Sequence, residues 1–263
     1  MKNIFDCHCH FVTLEDFAIY QKTSSATKFI NIRAINHEVL VKPYDFNTFK
    51  DFDNMYLTEA VDLEKLDLEL ERVETNLKNN VKIVGIKIYL GYQPFYANDE
   101  RIKKVTRLAQ KYGVSMLFHC GECYEDEKEI TYSDAKYVEE LAGKFKDVNF
   151  IASHINYPKC DHVFKLCEKY DNVFTCFSGL LDAEDEIEKE VLINEITTII
   201  NHAFLKYPKL KNKLMYGTDF FAHGENFRDV SAYLEVVKGL DLPEEEKINI
   251  LHNNVFKAYQ KLR

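Results

Sequence analysis

Glycine and proline are scarce, with nine and five copies in 263 residues. No Gly/Pro/Ser-rich stretch interrupts the chain, so a flexible linker between two domains is not expected. Nor does a glycine-rich phosphate loop follow any strand-like run, which weighs against an open, doubly wound nucleotide-binding sheet. Positive charge is short as well. The formal net charge is −9 and the lysines are scattered rather than gathered in a stripe, so the footprint of a nucleic-acid binder is missing. No run approaches the roughly 20 apolar residues of a membrane helix, and the first five residues contain no long apolar leader. These absences lead us to expect a cytoplasmic protein with a small-molecule substrate and no nucleic-acid or membrane partner; a homodimer is an open alternative for its assembly. Seven cysteines, an odd number without framework spacing, predict free thiols in a reducing compartment.

What the chain does have is alternation. Apolar runs of four to eight residues alternate with amphipathic stretches along nearly its whole length, the signature of repeated βαβ units. Strands are predicted over Asn3–His10, Lys28–Ile35, Met55–Val61, Ile83–Leu90, Ser115–His119, Asn149–His154, Val173–Phe177 and Leu214–Asp219. Helices are predicted between them over Leu14–Lys22, Leu63–Lys78, Asp99–Tyr112, Ser133–Lys146, Lys159–Tyr170, Glu184–Tyr207 and Phe227–Lys238, with a weaker helical pattern over His37–Asp53. Pro243 followed by three glutamates marks a further helix start, so Leu242–Leu262 reads as a C-terminal helical extension. Eight strands suit an α/β fold of the closed (β/α)8 TIM-barrel type, forming one domain over residues 1–263.

The densest chemistry lies at the start, in DCHCH, Asp6–His10. A strand alternates its side chains between two faces, so Asp6, His8 and His10 are expected on one face and Phe5, Cys7, Cys9 and Phe11 on the other, toward the helices. The cysteines then read as small buried apolar residues and not as ligands. What remains is His-x-His, two imidazoles of a metal site that needs further ligands from elsewhere. In a parallel barrel those come from the carboxyl ends of the strands. The polar residues predicted there are His8 and His10, Lys87, His119 in MLFHCG, His154 in FIASHINYP and Asp219 in LMYGTDF. Three imidazoles, His8, His10 and His119, with the Asp219 carboxylate form a suitable set for one divalent ion, zinc or alternatively manganese, with a position left for water. His37, His162, His202 and His252 fall in helices or loops and read as structural, while His223 follows strand 8 closely enough to line a mouth.

In this order DCHCH, GIKIYLGYQPF, MLFHCG, ASHINYP, YGTDF and HNNVFKAY resemble the landmarks of the amidohydrolase superfamily. The nearest branch is the amidohydrolase 2 group, metal-dependent barrel hydrolases that include aminocarboxymuconate-semialdehyde decarboxylase. The resemblance implies that His8, His10, His119 and Asp219 hold the metal and that His154 is the acid/base group beside it; Asp219 is in addition expected to orient the bound water and accept its proton. It implies a hydrolase of small molecules working through metal-activated water. Non-oxidative decarboxylation of an aromatic or unsaturated acid is the alternative, and a catalytically silent metal-binding protein the rival. Lys87 has three readings: a partner for Asp6 or another acid, a contact for a substrate carboxylate with Arg228 as a second candidate, or a carboxylated bridge between two metals. Tyr89 and Tyr92 of the GYQPF loop, with His223, are expected to shape the substrate pocket.

Overall fold

The computed structural model describes residues 3–123, 129–181, 186–223, 226–227 and 230–262. Eight parallel strands follow one another around a barrel in chain order: β1 (Ile4–Cys9), β2 (Ala26–Asn31), β3 (Met55–Ala60), β4 (Ile83–Ile88), β5 (Ser115–Phe118), β6 (Phe150–Ala152), β7 (Val173–Cys176) and β8 (Leu214–Met215). The seam between β8 and β1 is held by the Cys7 amide donating to the Tyr216 carbonyl at 3.0 Å and the His10 amide to the Phe220 carbonyl at 2.7 Å. Pairing across this seam leaves little exposed edge.

Around the strands lie α1 (Leu14–Thr23), α2 (Leu66–Asn79), α3 (Glu100–Tyr112), α4 (Glu139–Lys144), α5 (Cys160–Lys169), α6 (Glu186–Lys206) and α7 (Ala232–Lys238). Local signals fix several of their ends. Thr13 and Asp16 form a reciprocal capping box before α1, and Gly113 closes α3 in the left-handed conformation at φ 62°. The predicted helix over Ser133–Lys146 is a 3-10 turn, Ala135–Val138, running into the short α4.

The connection from β2 to β3 departs most from the sequence pattern. Of the helix expected over His37–Asp53, only a 3-10 turn at Phe46–Phe49 forms. Tyr44 is drawn into the barrel wall instead, where its hydroxyl contacts the carbonyls of Asn31 at 3.0 Å and Thr58 at 2.9 Å. A helix over this stretch would carry that ring away from the strands, and Pro43 before it lacks the amide a helix interior needs.

The barrel has two apolar layers. One lies between strands and helices; the other fills the barrel interior, where Phe5, Ile32, Leu117, Ile151, Phe174 and Met215 converge. The expected C-terminal extension is present as α8 (Glu244–Ile248), a π turn over Asn249–Asn253 and α9 (Asn254–Ala258). It packs against the interior layer, with Val255, Ala258 and Tyr259 joining that cluster. Polar ties hold it there: Ser115 Oγ donates to the Ala258 carbonyl at 2.8 Å, and the Tyr259 hydroxyl to the Cys7 carbonyl at 3.3 Å. Gly85 on β4 lets the neighbouring β5 pack close against it. A Cβ there would stand 2.5 Å from Leu117 Cδ1 and 3.2 Å from the Ser115 carbonyl oxygen. Gly85→Ala is therefore expected to destabilise the fold by about 1–3 kcal/mol, measured by urea unfolding; an unchanged midpoint would show that the interior layer yields easily.

Candidate metal centre

Strand β1 is not straight, and that decides what reaches the site. Asp6 pairs with Phe29 and Cys9 with Asn31, so three steps on β1 run beside two on β2. The extra residue breaks the alternation of faces. Three expectations are corrected as a result. Phe5 and Cys7 do not face the helices: both belong to the interior cluster. Asp6 does not share the face of His8 and His10, nor does it pair with Lys87. Its Oδ2 accepts from the Tyr20 hydroxyl and Thr218 Oγ1, each at 2.6 Å, and its Oδ1 from the amides of His8 at 3.0 Å and Thr218 at 3.2 Å. Cys9 does face outward, its thiol donating to the Ile30 carbonyl at 3.3 Å. All seven cysteines are free thiols.

Beyond the bulge, His8 and His10 converge on one atom. His8 Nε2 lies 3.0 Å and His10 Nε2 3.1 Å from Asp219 Oδ1. Asp219 is delivered by an irregular turn after β8, where its backbone adopts φ 59° and its amide donates to the His8 carbonyl at 2.7 Å. His154 arrives in a similar way. The sequence pattern places it at the end of a strand, but β6 ends at Ala152, and His154, Ile155 and Asn156 all have positive φ, at 60°, 42° and 56°. Non-glycine residues held in this region are strained, and such strain gathers at functional sites. His8, His154 and Asp219 each offer a ligand atom within 4.8 Å of the others.

His119 stands at the edge of this group. Its ring centroid is 4.9 Å from that of His154 and 4.9 Å from that of Tyr92. Its Nε2 lies 2.9 Å from the Glu122 carbonyl and 3.5 Å from Cys123 Sγ. Lys87 is fully enclosed, with Nζ 3.5 Å from both His8 Nε2 and Ser153 Oγ and 5.2 Å from the centre of the Tyr89 ring. Among the described residues no carboxylate lies within 4 Å of that ammonium. Burial lowers its pKa to about 8.

The hydrogen bonds around the imidazoles set their tautomers. His10 Nδ1 meets the Ile32 carbonyl at 2.9 Å and His154 Nδ1 the Ser178 carbonyl at 2.7 Å. A carbonyl only accepts, so each Nδ1 carries the proton and each Nε2 presents a lone pair. Burial lowers the pKa of His10 and pushes that of His154 down to about 4, against the opposing pull of Asp219, so both rings are neutral at pH 7. Burial raises the Asp219 pKa, but the neighbouring imidazoles outweigh it and hold the carboxyl well below the usual carboxylate range. A lone pair on neutral His10 thus faces a carboxylate oxygen at 3.1 Å. Two acceptors at that distance repel unless a cation lies between them. The donor set fits a divalent metal ion.

Several contributors carry no signal in the sequence. Gly179 has φ 73°, and a Cβ there would stand 2.8 Å from Asp219 Oδ2 and 2.9 Å from His154 Nδ1. Ser178 and Thr218 act through the backbone and a hydroxyl that only the folded chain brings into place. A cavity of about 120 Å³ opens above the group. Its lining includes the expected Tyr89 and Tyr92, and also Val39, Leu40 and Val41 from the β2–β3 connection. The side chain of His223 and all of Arg228 lie outside the described residues.

Comparison with solved structures shows the same architecture. The 2,6-dihydroxybenzoate decarboxylase of Rhizobium superposes with a TM-score of 0.67 at 12% identity over 99% of both chains. A zinc-bound amidohydrolase of Burkholderia multivorans gives 0.66 at 13% identity over 98% of this chain and 99% of that one. The dihydroorotase of Campylobacter jejuni gives 0.60 at 18% identity over 99% of this chain and 84% of that one. A search of curated proteins finds no match. A family model described as amidohydrolase matches residues 60–260. Because that match spans most of the sequence, the chain belongs to the amidohydrolase family, whose members are metal-dependent enzymes.

Proposed function

We propose that this chain is a hydrolase of small molecules that works through water activated by one divalent ion, zinc in the first instance. The observation that carries the reading is the buried meeting of His8 Nε2 and His10 Nε2 at a single oxygen of Asp219. His8, His10 and Asp219 would hold the ion, and His119 from the end of β5 would complete the shell through Nδ1. Such an ion supplies a Lewis acid and lowers the pKa of bound water from about 15.7 toward 7. Asp219 would orient the water and accept its proton. His154, neutral and with its Nε2 lone pair unclaimed by the Ser178 carbonyl, would polarise the reacting group or carry a proton to the leaving atom. Gly179 leaves room for both side chains.

Decarboxylation is the second reading, and Lys87 is what favours it. Its ammonium lies at the cavity floor with no carboxylate partner among the described residues, so a substrate carboxylate would find a counter-charge there. The Rhizobium neighbour is a decarboxylase, a likeness at the level of fold. One experiment decides among the readings. Elemental analysis of the purified protein is expected to give one divalent ion per chain. The loaded protein is then offered esters, lactones, amides and aromatic carboxylates, with acid release and CO₂ release followed separately. Acid release supports hydrolysis and CO₂ release supports decarboxylation. Bound metal with neither product across the panel would make the protein a silent metal binder, and two ions per chain would make Lys87 a carboxylated bridge.

A further inference from the structure

The cavity is divided by polarity. Its floor carries His8, His10, Lys87, His119, His154 and Asp219, and its upper wall is built from Val39, Leu40, Val41, Tyr92, Leu180 and Phe221. Each of these six wall residues is only partly covered. Aliphatic and aromatic side chains left half-open around a polar floor are a surface that gains when a ligand covers it.

Val39, Leu40 and Val41 come from the β2–β3 connection, the stretch that declines to be a helix. Its course is fixed at both ends of the trio. The Val39 amide meets His37 Nδ1 at 3.4 Å, the His37 ring packs edge-on against Tyr92 at 5.8 Å, and Tyr44 anchors the far side between β2 and β3. The aliphatic trio is therefore held over the floor by the barrel itself. Charge is distributed just as unevenly. Among the described lining residues Lys87 is the one Lys or Arg, and it lies at the floor beside His8; the acidic residues among them are Asp219 and Glu122.

We infer that the substrate is one-ended: a single polar reacting group that reaches the floor, joined to an uncharged apolar aryl or alkyl body that lies against Val39–Val41, Tyr92, Leu180 and Phe221. A second anionic group on that body would be stripped of water against an apolar wall where, among the described lining residues, no Lys or Arg meets it. This rests on the metal-dependent reading of the floor.

The test uses benzohydroxamate and 4-carboxybenzohydroxamate, which share a metal-chelating head and differ by one distal carboxylate, titrated into metal-loaded protein of measured metal content. Benzohydroxamate is expected to bind about tenfold or more tighter, about 1.4 kcal/mol, and Leu40→Lys is expected to narrow or reverse that gap. Equal binding, a preference for the carboxylated probe, or binding of neither by protein that contains its ion overturns the inference and leaves the metal reading standing. Protein that takes up no ion overturns the metal reading instead. In that sample benzamide and 4-carboxybenzamide, which need no metal, decide the wall by the same ordering.

Discussion

His154→Asn protein is expected to keep its divalent ion and to lose about 10²–10⁴ in turnover, the usual worth of a positioned general acid or base. His119→Asn is expected to lose the ion itself. The reasoning lies in how each ring is held. His154 sits in a strained turn with its Nδ1 proton committed to the Ser178 carbonyl, and Asn in its place has no basic nitrogen to present toward the reacting atom. His119 has Nε2 committed to the Glu122 carbonyl, which leaves Nδ1 as its donor. Metal content by elemental analysis and turnover on the same preparations separate the two roles. The close grouping of His154 with His8 and Asp219 gives the experiment its opposing outcome. If His154→Asn loses the ion while His119→Asn keeps it, the two histidines exchange roles, and the compact three-residue group is the coordination shell. Full activity in His154→Asn would remove it from the chemistry altogether.

Asp6→Ala is expected to lower stability by about 3 kcal/mol or more, since each buried donor stripped of its partner costs about 1–3 kcal/mol. Asp6 is completely buried and accepts four hydrogen bonds, two from hydroxyls and two from amides. All four partners are donating, so an acceptor-only carboxylate suits the position. Burial raises its pKa to about 6 against the lowering effect of Thr218 and Tyr20. The loss should extend beyond stability. Thr218 is the neighbour of Asp219, and the His8 amide is the other group Asp6 secures, so the same carboxylate holds both sides of the metal group in register. Asp6→Ala should also weaken metal retention under chelator challenge. A urea midpoint within error of wild type would show that Tyr20 and Thr218 find other partners, and that the clamp is dispensable.

The barrel was legible because its signal is long-range periodicity: eight apolar runs separated by amphipathic stretches survive errors of a few residues at each end. The polar residues that reach the rim were legible for the same reason, since a barrel leaves few places for a histidine at a strand end. What escaped was local. Nothing in DCHCH announces a bulge, so the alternation rule placed Cys7 outside and Asp6 beside the histidines, and the folded chain reverses both. The strand was expected to run straight into His154, but the turn that aims that ring depends on three left-handed residues, one of them β-branched Ile155. The helix expected over His37–Asp53 fails because Tyr44 is worth more between two strands than on a helix surface, a tertiary preference that no window of sequence contains.

Tyr259 touches the strand that carries the histidine pair, yet 252 residues separate its hydroxyl from the Cys7 carbonyl it contacts. On the ribosome, therefore, β1 waits for a helical turn made 252 residues later before its interior side is covered. Throughout that interval Phe5 and Cys7 lie on an apolar surface without its final layer, and contacts this distant in sequence are slow to form. That uncovered surface lies at the base of the barrel, the end opposite its chemistry, and an apolar surface left open during synthesis is a place where chains can associate wrongly.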